Sequence, residues 1–484
     1  MYRDFLDIIE QKSKELDDLS DQIWDHPETA FSETESVNIL INFLCKEGFE
    51  VTSPAYGVDT AFTAKYGNGK PVIGILGEYD ALAELSQKSD CLWKEKVEGI
   101  SNGHGCGHNL LGVGGIAAAL AVKKYLESGA PGTIIYYGCP GEEGGSGKAF
   151  MAREGAFANL DLALSWHPAE VNEVIQDTSL ANIQVLYKFS GVSAHAAGNP
   201  QNGRSALDAV ELMNVGCNFL REHIIDQARI HYAIVNSGGF SPNVVQSYGE
   251  VLYLIRAPKV KQVQELLERV NKIAQGMALA TETNVEYEII KSCSNLIPNH
   301  VLEASLLRSF QKVPMPVYTK EERELARKYT LTASRSERAV LETHISRMNQ
   351  QENSQFLQQR KLDDFYDFVI PYEKKLTPPL MGGSTDVGDV SWQCPTAQIE
   401  TSTWAPNSGG HSWQIVSQGK GSMAHKAMRY AGKVLAETII YLLTSPDVVK
   451  QAKEEYKERM QGEVYMPIPK EIKPRPMEEL GRSK

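Results

Sequence analysis

A thiol and two imidazoles occur close together in the segment "NGHGCGHN", residues 102–109. Cys106 and His108 flank one glycine, and a tight glycine loop lets two side chains converge on one point. Thiolate and imidazole are both ligands of Zn²⁺, so this spacing indicates a metal site. Cys106 alone has a plainer interpretation, because a lone buried cysteine is more often an inert small hydrophobic residue. His104 is interpreted as a loop residue without a chemical role.

Further candidate ligands occur in three other glycine- or proline-containing segments. Glu142 and Glu143 are adjacent in "CPGEEGGSGK", His167 lies in "WHP", and His411 lies in "GGHSWQ". Imidazole, thiolate and carboxylate together suit Zn²⁺, and the carboxylates also admit Mn²⁺. One of two adjacent glutamates can bind a metal while the other moves a proton. Taken singly, each segment is equally typical of a strand end, a turn or a solvated loop.

The elements that would carry these residues follow an α/β pattern. Buried strands that run out into polar loops are predicted within 71–82, 132–147 and 158–170, and a helix with small residues on its packing face at 112–126. Each strand ends in polar residues, which after the first strand include Glu78 and Asp80. In such sheets the ligand site lies beyond the carboxyl ends of the strands. We therefore expect the candidate ligands to gather at one edge of the sheet.

A second pattern begins after residue 182. Residues 183–293 are predicted to fold as β-α-β-β-α-β, a ferredoxin-like unit whose edge strand suits dimerisation; this unit is called the lid domain below. It interrupts a catalytic metal-binding domain made of residues 1–182 and 294–484, with a central mixed sheet flanked by helices. The charged segment 316–378 is predicted to be a mostly helical surface insertion.

Composition limits the classes of partner. The chain has 484 residues, a net charge of −12 and seven cysteines. An acidic chain argues against binding to nucleic acid or to an anionic membrane. No apolar run approaches the roughly 18 residues of a membrane span. The cysteines are odd in number and do not form a disulfide framework, so we expect a reducing, cytoplasmic location.

The motifs "GEYDAL", "GHGCGHN", "CPGEEGGSGK", "WHP", "SAHAAGNPQNGRSALDA", "SPNVVQ" and "HSWQ" occur in this order. With them the chain resembles the M20 family of metallopeptidases and amidohydrolases, in its cysteine-containing, aminoacylase-like branch. Within that branch, "DQIWDHPET" and "STDVGDVSW" are similar to a group that acts on p-aminobenzoyl-glutamate. The resemblance covers essentially the whole chain.

The resemblance implies two divalent metal ions per subunit, Mn²⁺ or Zn²⁺. Cys106 would bridge the ions as a thiolate. His108 and His167 would complete the ligands of one ion, and Glu143 and His411 those of the other.

The resemblance also implies roles around the metals. Glu142 would be the general base and acid, and Asp80 would orient a ligand histidine. His195, from the lid of a partner subunit, would polarise the scissile carbonyl. Asn243 and Arg256, on lid strands, would bind the substrate carboxylate. His195 and Arg256 each have a plainer interpretation, as a loop cap and a salt-bridge residue. The branch usually has Asp at the positions of Asn109 and Glu78.

The implied activity is hydrolysis of the amide bond of p-aminobenzoyl-glutamate, or a related N-acyl-glutamate, by a metal-bound water. Two alternatives stay open. One is a broader N-acyl-amino-acid amidohydrolase or dipeptidase that uses the same site. The other is a subunit of a hetero-oligomeric hydrolase that mainly contributes its lid. In each case we expect a homodimer, or a heterodimer with a homologous subunit, formed through the lid domain.

Overall fold

The computed structural model describes residues 3–333, 340–476 and 479. The chain forms two compact units. The first comprises residues 1–177, 297–379 and 390–464, and the second comprises residues 178–296, 380–389 and 465–484. Residues 334–339 of the predicted insertion, and 477–478 and 480–484 near the C-terminus, lie outside the described residues.

The strands of the described residues fall into one sheet of seven strands and one of four. They are β1 (Glu50–Thr52), β2 (Phe62–Asn68), β3 (Val72–Gly77), β4 (Gly132–Gly138), β5 (Leu162–Ala169), β6 (Glu173–Val174), β7 (Ala181–Ser190), β8 (Arg229–Asn236), β9 (Tyr248–Ala257), β10 (Asn284–Cys293) and β11 (Thr396–Ser402).

The seven-stranded sheet has the order β1-β2-β4-β3-β5-β11-β6. Its four central strands run parallel, and antiparallel strands complete both edges. The central strands are buried along nearly their whole length, as strands covered on both faces must be. This mixed sheet, flanked by helices, confirms the predicted α/β fold class.

The helices of the described residues surround these sheets. They are α1 (Arg3–Gln11), α2 (Ser13–Asp25), α3 (Thr34–Lys46), α4 (His108–Leu126), α5 (Glu142–Gly145), α6 (Gly147–Arg153), α7 (Ala206–Leu220), α8 (Val260–Ala280), α9 (His300–Lys312), α10 (Lys320–Thr332), α11 (Val340–Arg347), α12 (Gln351–Arg360), α13 (Val387–Ser391), α14 (Trp413–Gln418), α15 (Ser422–Leu443) and α16 (Pro446–Met460). None of them is long and apolar enough to cross a membrane.

Helix α4 is the central helix of the first unit. It packs against β3 and α15 and is buried along most of its length. Small residues allow this close approach, since a Cβ on Gly432 of α15 would lie 2.8 Å from the Cβ of Ala117. The helix begins at His108 rather than at the predicted residue 112, because the preceding Gly107 adopts a left-handed conformation and ends the loop there. His108 is therefore the first residue of the helix.

The insertion differs in part from the prediction. Within 316–378 the described residues form α10, α11 and α12, but residues 361–378 contain no helix. This stretch buries Phe365, Tyr366 and Phe368, and Ile370 donates a backbone hydrogen bond to Asn172 at 2.8 Å. The segment packs through aromatic side chains outside regular secondary structure, and the described helices of the insertion end at Arg360.

The second unit holds the four-stranded antiparallel sheet, in the order β10-β7-β9-β8. Its elements follow the order β7-α7-β8-β9-α8-β10, so the β-α-β-β-α-β sequence occurs where it was predicted. The apolar side chains of α7 and α8 pack on one face of this sheet. The role of this unit as a lid stays a prediction.

The second unit also contains two segments that the sequence analysis assigned to the catalytic domain, 380–389 and 465 onward. The buried carboxylate of Asp389 joins them to the rest. It accepts hydrogen bonds from Ser294 N at 3.1 Å and Oγ at 2.9 Å, and from Tyr465 Oη at 2.8 Å. The predicted boundaries 183–293 and 294–484 are corrected accordingly.

Candidate metal centre

The candidate ligands lie where parallel strands of the first unit end. Glu78 and Asp80 follow β3, and the glutamate pair follows β4. His167 lies near the end of β5, and His411 lies in the loop after β11. These strands are adjacent in the order β4-β3-β5-β11, so their carboxyl ends meet at one edge. This edge is where α/β sheets place their ligands.

Cys106 is common to two groups of possible metal ligands. The donor atoms of Cys106, His108 and His167 lie within 4.8 Å of one another. Those of Cys106, Glu143 and His411 form a second group of the same size. The five ligands implied by the resemblance are thus brought together around one thiol.

The separations within these groups suit ligands of a single ion. His167 Nε2 lies 3.4 Å from Cys106 Sγ, and His411 Nε2 lies 3.0 Å from Glu143 Oε1. Two ligand atoms that are each about 2.0–2.3 Å from one Zn²⁺ ion are about 3.3–3.8 Å apart at the tetrahedral angle and about 2.8–3.3 Å apart at 90°. The distance of 3.4 Å falls within the first range and that of 3.0 Å within the second.

Two buried atoms that face the centre lack hydrogen bonds. Among the described residues, His108 Nε2 and Glu143 Oε1 have no hydrogen-bond partner of suitable geometry. Each atom has a close contact, His411 Nε2 at 3.0 Å from Glu143 Oε1 and Glu78 Oε2 at 3.2 Å from His108 Nε2, but neither contact is a hydrogen bond. A bound cation would satisfy both buried atoms. The residues present therefore fit a pair of divalent ions.

Asp80 connects the two groups. One carboxylate oxygen lies 2.8 Å from His108 Nδ1, and the other accepts a hydrogen bond from Glu143 N at 2.7 Å. The first contact holds the proton on Nδ1 and leaves Nε2 available for a metal. His167 is held in the same way, since its Nδ1 lies 2.7 Å from the carbonyl oxygen of Pro168. Both histidines therefore direct Nε2 toward the centre.

Left-handed glycines shape the two ligand loops. Gly107 has φ +74° between Cys106 and His108, and Gly141 has φ +66° immediately before Glu142. Side chains other than glycine rarely adopt this conformation. A Cβ on Gly107 would also lie 2.9 Å from the Trp404 ring. The glycines therefore allow the sharp turns that place ligands on either side of them.

The electrostatics of the centre favour a cation. Burial, and then the Glu143 carboxylate, raise the pKa of the Cys106 thiol. Burial lowers the pKa of His108, but Cys106 and Asp80 outweigh it and raise that pKa well above its usual value. A divalent ion reverses both effects, because it stabilises the thiolate and binds the neutral imidazole.

Sequence reasoning missed two buried residues around the centre, Lys148 and Glu33, and named Glu78 without giving it a role. Lys148 lies 2.6 Å from Glu78 Oε1, and both side chains are buried. Glu33 accepts hydrogen bonds from Gly141 N at 2.8 Å and Thr60 Oγ1 at 2.9 Å, so it supports the glutamate loop. Burial, and then Asp80, raise the pKa of Glu33 to about 8. The "GEYD" motif could have indicated Glu78, but no local pattern marks Lys148 or Glu33.

Two residues near the ligands have structural contacts. His104 is buried, and its Nε2 lies 3.1 Å from the carbonyl oxygen of Ile23. Asn109 donates from Nδ2 to Ser20 Oγ and to the Gly419 carbonyl, both at 3.1 Å. An aspartate has no N–H to donate, so these bonds account for Asn at this position.

His195 belongs to the second unit and is exposed. Its Nδ1 accepts hydrogen bonds from Ala197 N at 3.2 Å and Gly198 N at 3.0 Å. These bonds place the proton of the neutral ring on Nε2. The exposed Nε2 is then a hydrogen-bond donor, as the predicted role of polarising a carbonyl requires.

The structure does not bring Asn243 and Arg256 together. Asn243 lies in the loop before β9, not on a strand, and its carbonyl accepts from Ala196 N beside His195. Arg256 lies near the far end of β9, about 26 Å along the strand from Tyr248, at roughly 3.3 Å per residue. One lid therefore cannot place both side chains on the same carboxylate.

Arg256 has the surroundings of an anion-binding residue. Its Nη1 donates to Ser384 Oγ at 3.3 Å, and its buried Nε has no hydrogen bond among the described residues. Arg229 on β8 is directly opposite it, so two guanidinium groups lie on the same face of the sheet.

Comparisons with known proteins show the family of this chain. The model of peptidase family M20/M25/M40 matches residues 74–469. The chain is 46% identical over 479 residues to the B-type subunit of p-aminobenzoyl-glutamate hydrolase of Escherichia coli (strain K12), covering 99% of each chain. It is 33% identical over 326 residues to Xaa-Arg dipeptidase of Mus musculus, covering 63% of this chain and 70% of that protein.

A solved structure shows the same fold. The YXEP protein of Bacillus subtilis, described as a dinuclear metal-binding peptidase of this family, has a TM-score of 0.53 at 14% identity. The similarity covers 90% of this chain and 99% of that one.

Proposed function

This chain belongs to peptidase family M20/M25/M40 and is a metal-dependent amide hydrolase. From that premise we propose that it cleaves p-aminobenzoyl-glutamate or a related N-acyl-glutamate at a dinuclear metal centre. The observation that carries the proposal is the convergence of two ligand groups on Cys106 in a chain 46% identical to the Escherichia coli protein. Cys106, which is common to both ligand groups, would contact both ions. His108 and His167 would hold one of them, and Glu143 and His411 would hold the other.

The protein residues around the metals supply binding and proton transfer. When bound, the divalent ions supply Lewis-acid activation of water and of the scissile carbonyl. Glu142 takes a proton from the attacking water and returns it to the leaving amine. Asp80 keeps His108 in the tautomer that binds metal, and Glu33 holds the backbone that precedes Glu142.

The lid supplies contacts to the substrate. His195 donates from Nε2 to the carbonyl oxygen that gains charge during attack. Arg256 binds a substrate carboxylate, for which a guanidinium fork is well suited. Because Asn243 lies beside His195 and far from Arg256, we propose that a partner subunit contributes His195 and Asn243 together.

The second unit has a surface suited to that partner. Strand β8 forms an edge of the four-stranded sheet. On α7, Leu212, Val215 and Phe219 are exposed on one helix face, Phe219 by 71%. Unpaired edge strands and contiguous apolar patches are typical of protein interfaces. We therefore propose a homodimer, or a heterodimer with a homologous subunit, formed through this surface.

Two other functions have specific support. A dipeptidase is favoured by the 33% identity to Xaa-Arg dipeptidase. A subunit that mainly contributes its lid is favoured by the name of the Escherichia coli relative, which is one subunit of a hydrolase.

The test is a substrate panel on the purified chain, loaded with Mn²⁺ or with Zn²⁺. The panel contains p-aminobenzoyl-glutamate, p-aminobenzoyl-glutamine, N-acetylglutamate, and an Xaa-Arg dipeptide. We expect the highest kcat/KM for p-aminobenzoyl-glutamate. Glu142→Gln, purified in parallel, controls for contaminating hydrolases.

Each other outcome selects a different function. A higher kcat/KM for the Xaa-Arg dipeptide would support the dipeptidase. Hydrolysis that appears only after a homologous subunit is added would support the lid-contributing subunit. Equal rates for p-aminobenzoyl-glutamate and p-aminobenzoyl-glutamine would show that hydrolysis does not require the side-chain carboxylate of the substrate.

A further inference from the structure

Glu78 lies against the metal-facing side of His108. Its Oε2 is 3.2 Å from His108 Nε2, the buried nitrogen that lacks a hydrogen bond among the described residues. Glu78 is not among the five ligands that the resemblance implies. We infer that Glu78 is a sixth metal ligand, on the ion of His108 and His167, and that Lys148 neutralises its charge when this ion is absent. The inference rests on the proposed dinuclear centre.

The distances support a shared ion. Two ligand atoms each about 2.0–2.2 Å from one ion lie about 2.8–3.6 Å apart for ligand angles between about 90° and 110°, and 3.2 Å falls within that interval. The donor atoms of Glu78, His108 and Glu142 also lie within 4.8 Å of one another. Glu78 and His108 are both fully buried. A water molecule could therefore bridge their facing atoms in place of the ion only by entering the centre.

Lys148 occupies the opposite oxygen of the same carboxylate. Its Nζ lies 2.6 Å from Glu78 Oε1, and its side chain is 0% exposed. A buried carboxylate without a counter-ion is strongly unfavourable, so the ammonium group keeps Glu78 charged and in position before the metal binds. Because Lys148 holds Oε1, Oε2 alone faces the ion.

An ion pair with a purely structural role would explain only half of this arrangement. It accounts for the contact between Lys148 and Oε1. It does not account for Oε2 lying 3.2 Å from His108 Nε2 without forming a hydrogen bond of suitable geometry with it. A sixth ligand explains both, and it has a chemical consequence. An added carboxylate raises the coordination number and favours Mn²⁺ relative to Zn²⁺.

The experiment measures metal binding directly in the Glu78→Gln variant. Metal-free protein is titrated with Mn²⁺ and with Zn²⁺ against a chelating indicator, and the visible spectrum is recorded with Co²⁺. We expect one ion to bind at least about 10-fold more weakly, which is the lower end of the effect of losing a residue that orients a ligand. We expect a larger loss for Mn²⁺ than for Zn²⁺, and more intense Co²⁺ bands because the coordination number falls.

Glu437→Gln is the matched control. Glu437 is a buried carboxylate, 4% exposed, that lies 3.3 Å from Arg308. It is outside the centre, so the variant should bind both ions with the affinity of the original protein.

Lys148→Met distinguishes the sixth ligand from the structural ion pair. We expect the metal-free variant to melt at a lower temperature than the metal-free original, and metal to restore most of the difference, because the ion takes over neutralisation of Glu78. Equal destabilisation with and without metal would support the structural pair and overturn the inference.

Two further variants keep the test decisive. If Glu78→Gln does not fold, the double variant Glu78→Gln, Lys148→Met removes both charges and is titrated instead. Cys106→Ser is titrated in the same series. Weakened metal binding in Cys106→Ser together with normal metal binding in the Glu78 variants would show that Glu78 is not a ligand. The proposed dinuclear centre would not be affected by that result. Normal binding in Cys106→Ser would overturn the proposed centre itself.

Discussion

Glu142 and Glu143 are adjacent residues with different surroundings. Glu143 belongs to the ligand group of Cys106 and His411, and its Oε1 is buried. Glu142 is grouped instead with Glu78 and His108. Non-helical dihedral angles at Glu143 separate the directions of the two side chains. The geometry is therefore consistent with one metal ligand and one proton-transfer residue.

Glu142→Gln should retain both metals and lose hydrolysis by on the order of 10²–10⁴-fold, the usual contribution of a positioned general base. Glutamine has nearly the same shape but cannot take a proton from water. Elemental analysis and kcat measured on the same preparation check the prediction. Loss of one ion from this variant would assign the ligand role to Glu142.

Cys106→Ser should weaken both ions together, because one thiolate is proposed to serve both ligand groups. Serine is a poorer ligand, since its hydroxyl does not ionise near neutral pH. Metal content after dialysis against a weak chelator is the measurement. Two fully occupied sites after that dialysis would remove Cys106 from the bridge.

At the residue scale, the sequence predicted the functional residues that lie next to a recognisable local motif. Cys106 and His108 flank a glycine, and Glu142 follows one. Glu78 and Lys148 are 70 positions apart and meet only because β3 and β4 are neighbours in the sheet. A local pattern cannot pair such residues.

At the element scale, helix α11 of the insertion is attached to the rest of the first unit through a partly buried ion pair. His344 Nε2 lies 2.9 Å and 3.1 Å from the two oxygens of Glu173. Glu400, Asp177 and Arg347 surround the same position. Burial lowers the pKa of His344, but Glu173 outweighs it and raises that pKa to about 9.

This contact should make stability depend on pH above neutrality. The pKa of His344 is about 9 in the folded chain and about 6.5 when unfolded, so its contribution is fully present below pH 6.5. It is lost as the pH rises through 9, and its upper limit is about 3 kcal/mol. His344→Gln should therefore melt below the original protein at pH 6 and approach it at pH 9.5. A melting difference that does not change with pH would contradict the prediction.

The order of elements could be predicted because hydrophobic periodicity is local. The β-α-β-β-α-β order and the buried parallel strands follow from it. The sheet order β1-β2-β4-β3-β5-β11-β6 could not, because it depends on pairing between distant segments. Segment 380–389 carries no periodic pattern, so its place in the second unit was also missed.

At the scale of the whole molecule, we expect active sites shared between two subunits. His195→Ala and Glu142→Gln chains, each inactive alone, should regain activity when mixed under conditions of subunit exchange. Each mixed dimer has one site with both residues intact. With random mixing of a two-fold dimer, about a quarter of the original activity should return.

The control mixture replaces one partner with the double variant Glu142→Gln, His195→Ala. A dimer of this chain with either single variant has no complete site, so its activity should stay at background. Confirmed exchange without recovered activity in the test mixture would show that His195 acts within its own chain or not at all.

The arrangement of the second unit also has a consequence for synthesis on the ribosome. Strands β7 to β10 leave the ribosome as one continuous stretch, yet Asp389 and Tyr465, which bond within that unit, are encoded far downstream. At about 5–20 residues per second, the roughly 170 residues between β10 and Tyr465 take on the order of 10–30 s to translate. During that interval the nascent unit exposes the surface around Ser294 that these segments later cover. Nascent chains arrested before residue 380 should therefore bind chaperones more strongly than chains arrested after residue 465.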